Sequence, residues 1–267
     1  MINHSSSRPL AVVTGASSGI GYELAKQFAQ NGFDLVVTAT GAKIDQVAPI
    51  FETLGASVQT VQADLATYDG VEALYHQIRA TGRPIEAIAI NAGVGVGGKF
   101  TETDLQDELN LIDLNVASAV HLAKRVVKEM VDRGRGKILF TSSIAALMPG
   151  PFEAVYAASK AFVHSFAEAL RNELKDTGVT ITSLMPGPTE TNFFHRADME
   201  DTQAGGNKKD DPAQVAQQGF EALMAGQDSL VAGSLKTKIQ GNIAKVLPDP
   251  VKAEQHRKLT EPGSANK

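Results

Sequence analysis

Residues 10–31 read LAVVTGASSGIGYELAKQFAQN, and this stretch decides the fold class. Its first five residues are an apolar, β-branched run typical of a strand, and its last ten have the amphipathic pattern of a helix. Three glycines between them, Gly15, Gly19 and Gly21, let the backbone turn tightly and approach a ligand. Free N–H groups at the start of the helix attract a pyrophosphate. The stretch predicts a strand, a phosphate-binding turn and a helix, although ordinary loop chemistry would also account for the glycines.

The same strand-helix unit repeats at least six times. Further strands are predicted at residues 33–38, 57–62, 85–90, 137–140, 179–185 and 228–234, and further helices at 43–54, 68–80, 111–133 and 154–177, with another beginning at Asp211-Pro212. Because no hairpin turn signals separate the strands, they are expected to pair in parallel. The predicted fold class is α/β, a single doubly wound parallel sheet with helices on both faces.

One domain is expected over residues 10–234, with a short segment on either side. Residues 1–9 are polar and Ser-rich and are predicted to be a flexible N-terminus. Residues 235–267 are predicted to form a C-terminal helical tail with a second helix start at Asp249-Pro250. The tail is too small to be a second domain, and its end, residues 261–267, is expected to be disordered.

Composition excludes several classes of function. The chain has 267 residues, 43% hydrophobic and 21% charged, which is typical of a soluble globule. Its net charge of -5 gives no electrostatic reason to expect nucleic acid or an anionic membrane as a partner. The absence of cysteine excludes thiolate chemistry, and the six histidines lack metal-ligand spacing, so no metal is expected. The first apolar run, residues 10–13, is too short for a signal peptide or membrane span, and a cytoplasmic location is expected.

The segment after the second predicted strand bears on the choice of dinucleotide. A carboxylate there would accept hydrogen bonds from the ribose of a bound dinucleotide and repel a 2′-phosphate. Residues 39–43 read ATGAK instead, so Thr40 and Lys43 are both available to contact a phosphate. The glycine turn carries Ser17 and Ser18 rather than a basic residue. NADP(H) is therefore favoured, and NAD(H) remains possible.

Other polar residues also follow predicted strands. Asp64 follows the third strand, where it would either accept a hydrogen bond from an adenine amino group or cap the next helix. The segment Asn91-Ala92-Gly93 follows the fourth strand, and residues 186–191, PGPTET, follow the sixth, where the prolines force the chain out of the sheet. Ligands of parallel sheets bind beyond the carboxyl ends of the strands. We therefore expect these segments to meet at one edge.

A phenol and an amine four residues apart supply the candidate chemistry. Tyr156 and Lys160 lie at i and i+4 of a predicted helix and so share one face. The positive charge of Lys160 is expected to lower the pKa of Tyr156 toward the working range of a proton donor. Upstream, Ser143 is expected at the end of a strand, where its hydroxyl can be presented. Taken alone, such a pair also fits an ordinary exposed helix face.

Together, these motifs resemble the short-chain dehydrogenase/reductase family over about residues 10–234. The resemblance is carried by Thr14-Gly15-x3-Gly19-x-Gly21, Asp64, Asn91-Ala92-Gly93, Asn115, Ser143, Tyr156-x3-Lys160 and Pro186-Gly187. It implies a Rossmann-like fold, a nicotinamide cofactor, and a homodimer or homotetramer formed through the helices at 111–133 and 154–177. The residues expected to contact the cofactor are Gly15, Ser17, Ser18, Gly19, Ile20, Gly21, Thr40, Lys43, Asp64, Leu65, Asn91, Ala92, Gly93, Tyr156, Lys160, Pro186, Gly187, Thr189 and Thr191.

The resemblance also implies a catalytic tetrad. Ser143 would hold the substrate oxygen and Tyr156 would donate its proton as hydride reaches the carbonyl carbon. Lys160 would hold the ribose, and Asn115 would keep a water in the proton path. Two other functions are weighed: a non-catalytic dinucleotide-binding regulator of the same fold, and an epimerase or dehydratase. The presence of all four tetrad residues disfavours the first, and the lack of a large substrate domain disfavours the second.

The substrate is expected to be a small carbonyl compound or alcohol of apolar character. The residues that could line an apolar pocket are Val94, Val96, Ile144, Met148, Phe152, Phe193 and Phe194, although each would serve equally well as plain core. Residues 192–209 mix aromatic, glycine and charged residues, a composition typical of a movable cover over a site. The segments 192–209 and 235–267 contain no pattern that names a substrate.

Overall fold

A computed structural model describes residues 8–244 and 246–266 of the chain. Seven parallel strands form one sheet in the order β3-β2-β1-β4-β5-β6-β7. The strands are β1 (Leu10–Thr14), β2 (Asp34–Ala39), β3 (Val58–Gln62), β4 (Ile85–Ile90), β5 (Gly136–Thr141), β6 (Val179–Pro186) and β7 (Ser229–Ala232). The strand order reverses between β1 and β4, so the sheet is doubly wound. The predicted α/β class is confirmed.

Helices connect the strands and extend the chain beyond the last one. They are α1 (Gly19–Gln30), α2 (Lys43–Thr53), α3 (Tyr68–Ala80), α4 (Leu105–Ile112), α5 (Ser118–Arg133), α6 (Ala154–Glu173), α7 (Phe193–Arg196), α8 (Gln203–Gly206), α9 (Pro212–Ala225), α10 (Leu235–Ala244) and α11 (Asp249–Thr260). Within the described ranges, no helix is long and apolar enough to cross a membrane.

The core lies on both faces of the sheet because successive strand residues point to opposite sides. On one face, Val13 and Val37 pack with side chains from α1, α2 and α9, namely Phe28, Phe51 and Phe220. On the other face, Val12 and Ile88 pack with side chains from α3, α5 and α6, namely Leu74, Leu122 and Val163. Burial on both faces explains why the central strands β1 and β4 are almost continuously apolar rather than alternating.

The predicted helix at 111–133 differs from the observed one. The observed helix begins earlier than predicted, at Leu105. The Asp104 side chain caps it by accepting a hydrogen bond from the Gln106 N–H. It then continues through a π-helical segment, Asp113–Ala117, into α5. Such a segment inserts one residue into the helical repeat and occurs often at functional sites. Helix α6 also ends at Glu173, before the predicted Thr177.

The C-terminal tail packs onto the rest of the molecule. Disorder was expected over residues 261–267, but the chain ends instead in a turn at Ser264–Asn266. The Gln203 N–H donates to Ser264 Oγ at 3.0 Å, and the Gly263 N–H donates to Asp201 Oδ2 at 2.7 Å. These bonds satisfy the backbone N–H groups of Gln203 and Gly263. The periodicity of a sequence does not reveal such long-range bonds. Residue 267, like residues 1–7 of the predicted flexible N-terminus, lies outside the described residues.

The segment 192–209, expected to be a movable cover, has a small core of its own. This core contains Phe194, Ala197, Met199 and Ala204, and Leu259 of the tail packs against it. The segment therefore joins the tail to the carboxyl edge of the sheet.

Candidate active site

A cavity of about 930 Å³ lies at the carboxyl edge of the sheet, where the strand order reverses between β1 and β4. Its wall contains nearly every residue expected to contact a cofactor: Gly15, Ser17, Ser18, Gly19, Ile20, Gly21, Thr40, Asp64, Leu65, Asn91, Ala92, Gly93, Tyr156, Lys160, Pro186, Gly187, Thr189 and Thr191. Lys43 is the exception. It is exposed at the first position of α2 and does not line the cavity.

The glycine turn has the backbone geometry that the sequence predicts. Gly15 and Gly19 have φ angles of 68° and 58°, in the left-handed region that favours glycine. A Cβ on Gly21 would collide with the carbonyl oxygen of Gly15 and with Asn91 Nδ2. Ser18 occupies the N-cap of α1 without a side-chain hydrogen bond to the helix. The free N–H groups at the start of α1 therefore remain available to an anion.

Hydrogen bonds among three strand ends hold this turn in place. The backbone N–H groups of Asn91 and Ala92 donate to Thr14 Oγ1 at 2.8 and 2.9 Å. Asn91 Nδ2 donates to the Thr14 carbonyl at 3.0 Å, and Asn91 Oδ1 accepts from Thr141 Oγ1 at 3.0 Å. This network joins β1, β4 and β5. Sequence analysis did not predict these structural roles of Thr14 and Thr141. Each threonine ends a strand next to a motif residue, and that position could have indicated its role.

The structure excludes one of the two interpretations of Asp64, and the adenine contact stays a prediction. Thr67, not Asp64, caps α3, because its side chain accepts a hydrogen bond from the Gly70 N–H at 3.0 Å. Asp64 Oδ1 accepts from the Ala66 N–H at 3.0 Å, and the residue lines the cavity. The helix-cap interpretation of Asp64 is therefore wrong.

The structure brings Ser143, Tyr156 and Lys160 together at the end of β5. The Ser143 hydroxyl lies near the Tyr156 phenol and acts to lower its pKa. Lys160 is 5% exposed and donates from Nζ to the Thr141 carbonyl at 3.0 Å. Its Nζ lies 5.7 Å from the centre of the Tyr156 ring. A hydroxyl, a phenol and an amine thus share one corner of the cavity.

Asn115 lies behind this corner in the π-helical segment. Its Oδ1 accepts from the Val94 N–H at 3.0 Å, and its Nδ2 donates to the Val94 carbonyl at 2.9 Å and to Ser159 Oγ at 3.1 Å. Ser159 Oγ in turn donates to the Tyr156 carbonyl at 2.7 Å. The buried amide therefore ties the loop after β4 to the first turn of α6.

Burial dominates the electrostatics of the corner. The pKa of Lys160 falls to about 8 because burial disfavours its charged form. The pKa of Tyr156 is raised, first by burial and then by the nearby negative charge of Glu153, while the hydrogen bond from Ser143 opposes the rise. The expectation that Lys160 lowers the pKa of Tyr156 is therefore wrong for the protein without a cofactor. The reason is that Lys160 is directed to the Thr141 carbonyl and is itself desolvated.

The tail and the segment 192–209 complete the cavity wall. The Phe193 ring lies 5.2 Å from the Tyr156 ring, centre to centre. Of the seven residues expected to line an apolar pocket, the cavity includes Val94, Ile144, Met148, Phe193 and Phe194; Val96 and Phe152 do not reach it. Glu153 and His256 also line it and were missed. Glu153 precedes Tyr156 by three residues, and this helical spacing could have placed it at the site. No feature of the sequence around His256 indicates that it reaches the cavity.

Comparison with known proteins agrees with this geometry. Residues 9–202 match the family model described as short chain dehydrogenase. An NADP-dependent 3-hydroxy acid dehydrogenase of Salmonella typhimurium is 32% identical over 179 residues, 67% of this chain and 71% of its own. A short-chain dehydrogenase from Sphingobium yanoikuyae, in complex with NADPH, aligns with a TM-score of 0.78 at 28% identity, covering 84% of this chain and 87% of its own. A Burkholderia phymatum short-chain dehydrogenase/reductase in complex with NAD aligns with a TM-score of 0.76 at 25% identity, covering 84% and 89%.

The chain therefore belongs to the short-chain dehydrogenase/reductase family. Membership makes it an NAD(P)-dependent oxidoreductase with a Rossmann-like fold. The geometry of the cavity fits a dinucleotide. The glycine turn and the uncapped N–H groups at the start of α1 form a phosphate-binding site, and the cavity is large enough for the rest of the cofactor.

Substitution of Gly21 by Ala is expected to weaken dinucleotide binding at least about tenfold, or about 1.4 kcal/mol. The added Cβ would displace the turn, because its neighbours are the Gly15 carbonyl oxygen and Asn91 Nδ2. Gly41→Ala is the matched control, since a Cβ there meets nothing within 4 Å. The prediction is tested by measuring NADPH affinity through nicotinamide fluorescence, using variants whose circular dichroism spectra show that they are folded. Wild-type affinity in Gly21→Ala would contradict it.

The pKa of Lys160 predicts a pH dependence of stability. Between about pH 8 and 10, the unfolded chain holds a proton on this lysine that the folded chain has lost, so the folded state gains stability as the pH rises. The unfolding free energy of the wild type relative to Lys160→Met should therefore rise by up to about 1.4 kcal/mol per pH unit in that window. Urea unfolding at a series of pH values measures it.

Lys128→Met is the matched control for this measurement, because Lys128 is exposed and pairs with Asp132 on the surface. Its difference from the wild type is expected to stay flat over the same window. A flat difference for Lys160→Met as well would show that Lys160 is not desolvated in the folded protein.

Proposed function

We propose that the protein transfers hydride between a nicotinamide and a carbonyl or secondary alcohol, with Tyr156 as the general acid and base. The observation that carries this proposal is the placement of the Tyr156 side chain. It lies near the Ser143 hydroxyl and next to buried Lys160, in the same cavity as the glycine turn that would bind the dinucleotide. A proton donor, a substrate-oxygen ligand and a cation within one cavity are the groups that carbonyl reduction requires.

In this mechanism each side chain has a distinct role. The bound nicotinamide supplies hydride for reduction or accepts it in oxidation. Ser143 donates a hydrogen bond to the substrate oxygen, and Tyr156 gives that oxygen its proton as the alcohol forms. In the cofactor complex, the positive charge that Lys160 carries below about pH 8 would stabilise the phenolate left on Tyr156. Lys160 also holds the ribose, and Asn115 holds a water through which the proton on Tyr156 is replaced.

Two features of the site, together with the comparisons with known proteins, support preferences within this function. No carboxylate follows β2, where Ala39 and Thr40 line the cavity, and this favours NADP(H). An NADP-dependent relative and an NADPH-bound neighbour agree with that choice, while an NAD-bound neighbour keeps NAD(H) as the alternative. The apolar side chains beside Tyr156 favour a largely apolar carbonyl compound.

We also propose that the protein assembles as a homodimer or homotetramer through α4, α5 and α6. Exposed apolar side chains on α4 and α6 support this assembly: Leu105, Leu109, Ile112 and Phe162. The absence of cysteine suits a reducing compartment and supports a cytoplasmic location.

Tyr156→Phe is expected to lower kcat at least about a hundredfold while leaving NADPH affinity unchanged, because positioned acid catalysis contributes about 10²–10⁴-fold in rate. Tyr75→Phe is the matched control, since the Tyr75 hydroxyl binds Glu129 outside the cavity. NADPH oxidation over a panel of aldehydes and ketones measures the effect. Near-normal turnover in Tyr156→Phe would refute the role of Tyr156. Tight NADPH binding without turnover of any carbonyl by the wild type would favour a regulator.

Parallel titrations of the apo-protein with NADPH and NADH test the cofactor preference. NADPH is expected to bind at least about tenfold more tightly, or about 1.4 kcal/mol. Thr40→Asp should reverse the preference, because the new carboxylate repels a 2′-phosphate and accepts from a ribose hydroxyl. Lys43→Met is the control, because Lys43 lies outside the cavity wall, and should change the ratio by less than about fivefold. A tenfold preference of the wild type for NADH would overturn the proposal.

A further inference from the structure

A buried acid and a buried histidine meet beside Tyr156. His256 Nε2 lies 3.1 Å from Glu153 Oε2, and the two residues are 7% and 6% exposed. Glu153 is the N-cap residue of α6, three positions before Tyr156, while His256 belongs to α11 in the C-terminal tail. Both line the cavity. The tail therefore contributes a polar side chain to the corner of the proposed chemistry.

Only one oxygen of Glu153 has a protein partner. Oε2 bonds to His256, whereas Oε1 has no hydrogen bond to any described residue and is not sealed inside the protein. Because Glu153 lines the cavity, Oε1 is open to a ligand there. A carboxylate removed from bulk water requires hydrogen-bond donors on its oxygens. Oε1 can therefore accept a hydrogen bond from a donor group of a ligand.

Glu153 Oε1 is a charged acceptor in a cavity that also has many apolar side chains. Apolar side chains line the same cavity, among them Ile144, Met148 and Phe193, and the Phe193 ring lies beside the Tyr156 ring. Arg196 and Lys208 also reach the wall, but both are exposed, so water screens their charge. The charge of Glu153 is felt at the Tyr156 phenol, which agrees with a short separation. Residues three apart at the start of a helix have Cβ atoms about 5–6 Å apart.

Two hydrogen bonds fix the part of the tail that carries His256. Lys252 Nζ donates to the Leu147 carbonyl at 3.1 Å, one turn before His256. Thr260 Oγ1 donates to the Pro151 carbonyl at 2.8 Å, one turn after it. The histidine is thus held against the loop before α6 and fixes the orientation of the Glu153 carboxylate.

We propose that Glu153 determines substrate specificity by accepting a hydrogen bond from a hydroxyl group near the reacting carbonyl, and that His256 is a positioning residue for Glu153. The substrate class is then a hydroxy ketone or hydroxy aldehyde whose hydroxyl lies within about three carbons of the carbonyl. This inference rests on the proposed function, because it takes the carbonyl to be bound at Ser143 and Tyr156.

The test compares kcat/KM for hydroxyacetone, methoxyacetone and 2-butanone with NADPH. Methoxyacetone keeps the oxygen but cannot donate, and 2-butanone lacks the oxygen. The wild type should prefer hydroxyacetone over both analogues by at least about tenfold, because a site built to bind a hydroxyl rejects analogues without one. Comparison of this ratio between variants cancels the intrinsic reactivity of the three ketones.

The double variant Glu153→Leu with His256→Phe removes both partners and leaves no unpaired buried charge. It should lose the preference for hydroxyacetone, mainly through KM. Loss of the Glu153 charge also lowers the pKa of Tyr156, but this acts on all three ketones and cancels from the ratio. His256→Gln retains a donor to Glu153 and should keep most of the preference. Arg257→Gln is the matched control: Arg257 lies next to His256 on α11 but pairs with Glu261 on the surface and does not line the cavity, so the preference should stay unchanged.

Three results would overturn the proposal. These are equal kcat/KM for hydroxyacetone and its analogues in the wild type, an unchanged preference in the double variant, or a loss of preference in Arg257→Gln equal to that in the double variant. In each case turnover of the ketones still supports the proposed function. If no ketone is turned over, the specificity proposal fails, and the wider carbonyl panel decides whether the proposed function fails with it.

Discussion

The hydrogen bonds that join the carboxyl ends of β1, β4 and β5 are the constraint on which the site depends. Thr14 Oγ1 accepts two backbone N–H groups from the start of the loop after β4, and Asn91 links Thr14 to Thr141. Buried polar groups must find partners, so this network has few alternative arrangements. It sets the position of the glycine turn on one side. On the other, the Thr141 carbonyl receives Lys160.

The same constraint shapes the electrostatics. Lys160 can be buried because a backbone carbonyl accepts its hydrogen bond, and burial then brings its pKa to about 8. Tyr156 lies beside it half-buried, and desolvation together with the charge of Glu153 raises its pKa. His256 of the tail partners one oxygen of that carboxylate. The balance of charge around the phenol is therefore set by groups from α6 and from a helix about a hundred residues later in the chain.

Much of the fold and the cofactor seat could be predicted because their signals are local. Apolar runs, glycine turns and helical periodicity depend on neighbouring residues, and parallel pairing then places all strand ends at one edge. Predictions failed where distant groups decide the outcome. Lys43 was expected at the cofactor but lies outside the cavity wall, and the pKa of Tyr156 was expected to fall but rises. The chain end was expected to be disordered but bonds to the segment 192–209.

The sequence by itself determined the parallel α/β sheet, the glycine turn and the spacing of Tyr156 and Lys160 on one helix. These follow from periodicity and steric freedom, which act over a few residues. Only the tertiary structure decided that the tail returns to the cavity, that Glu153 meets His256, and that a π-helical segment surrounds Asn115. Such outcomes depend on which buried polar groups find partners after the chain has packed, and no local pattern encodes that choice.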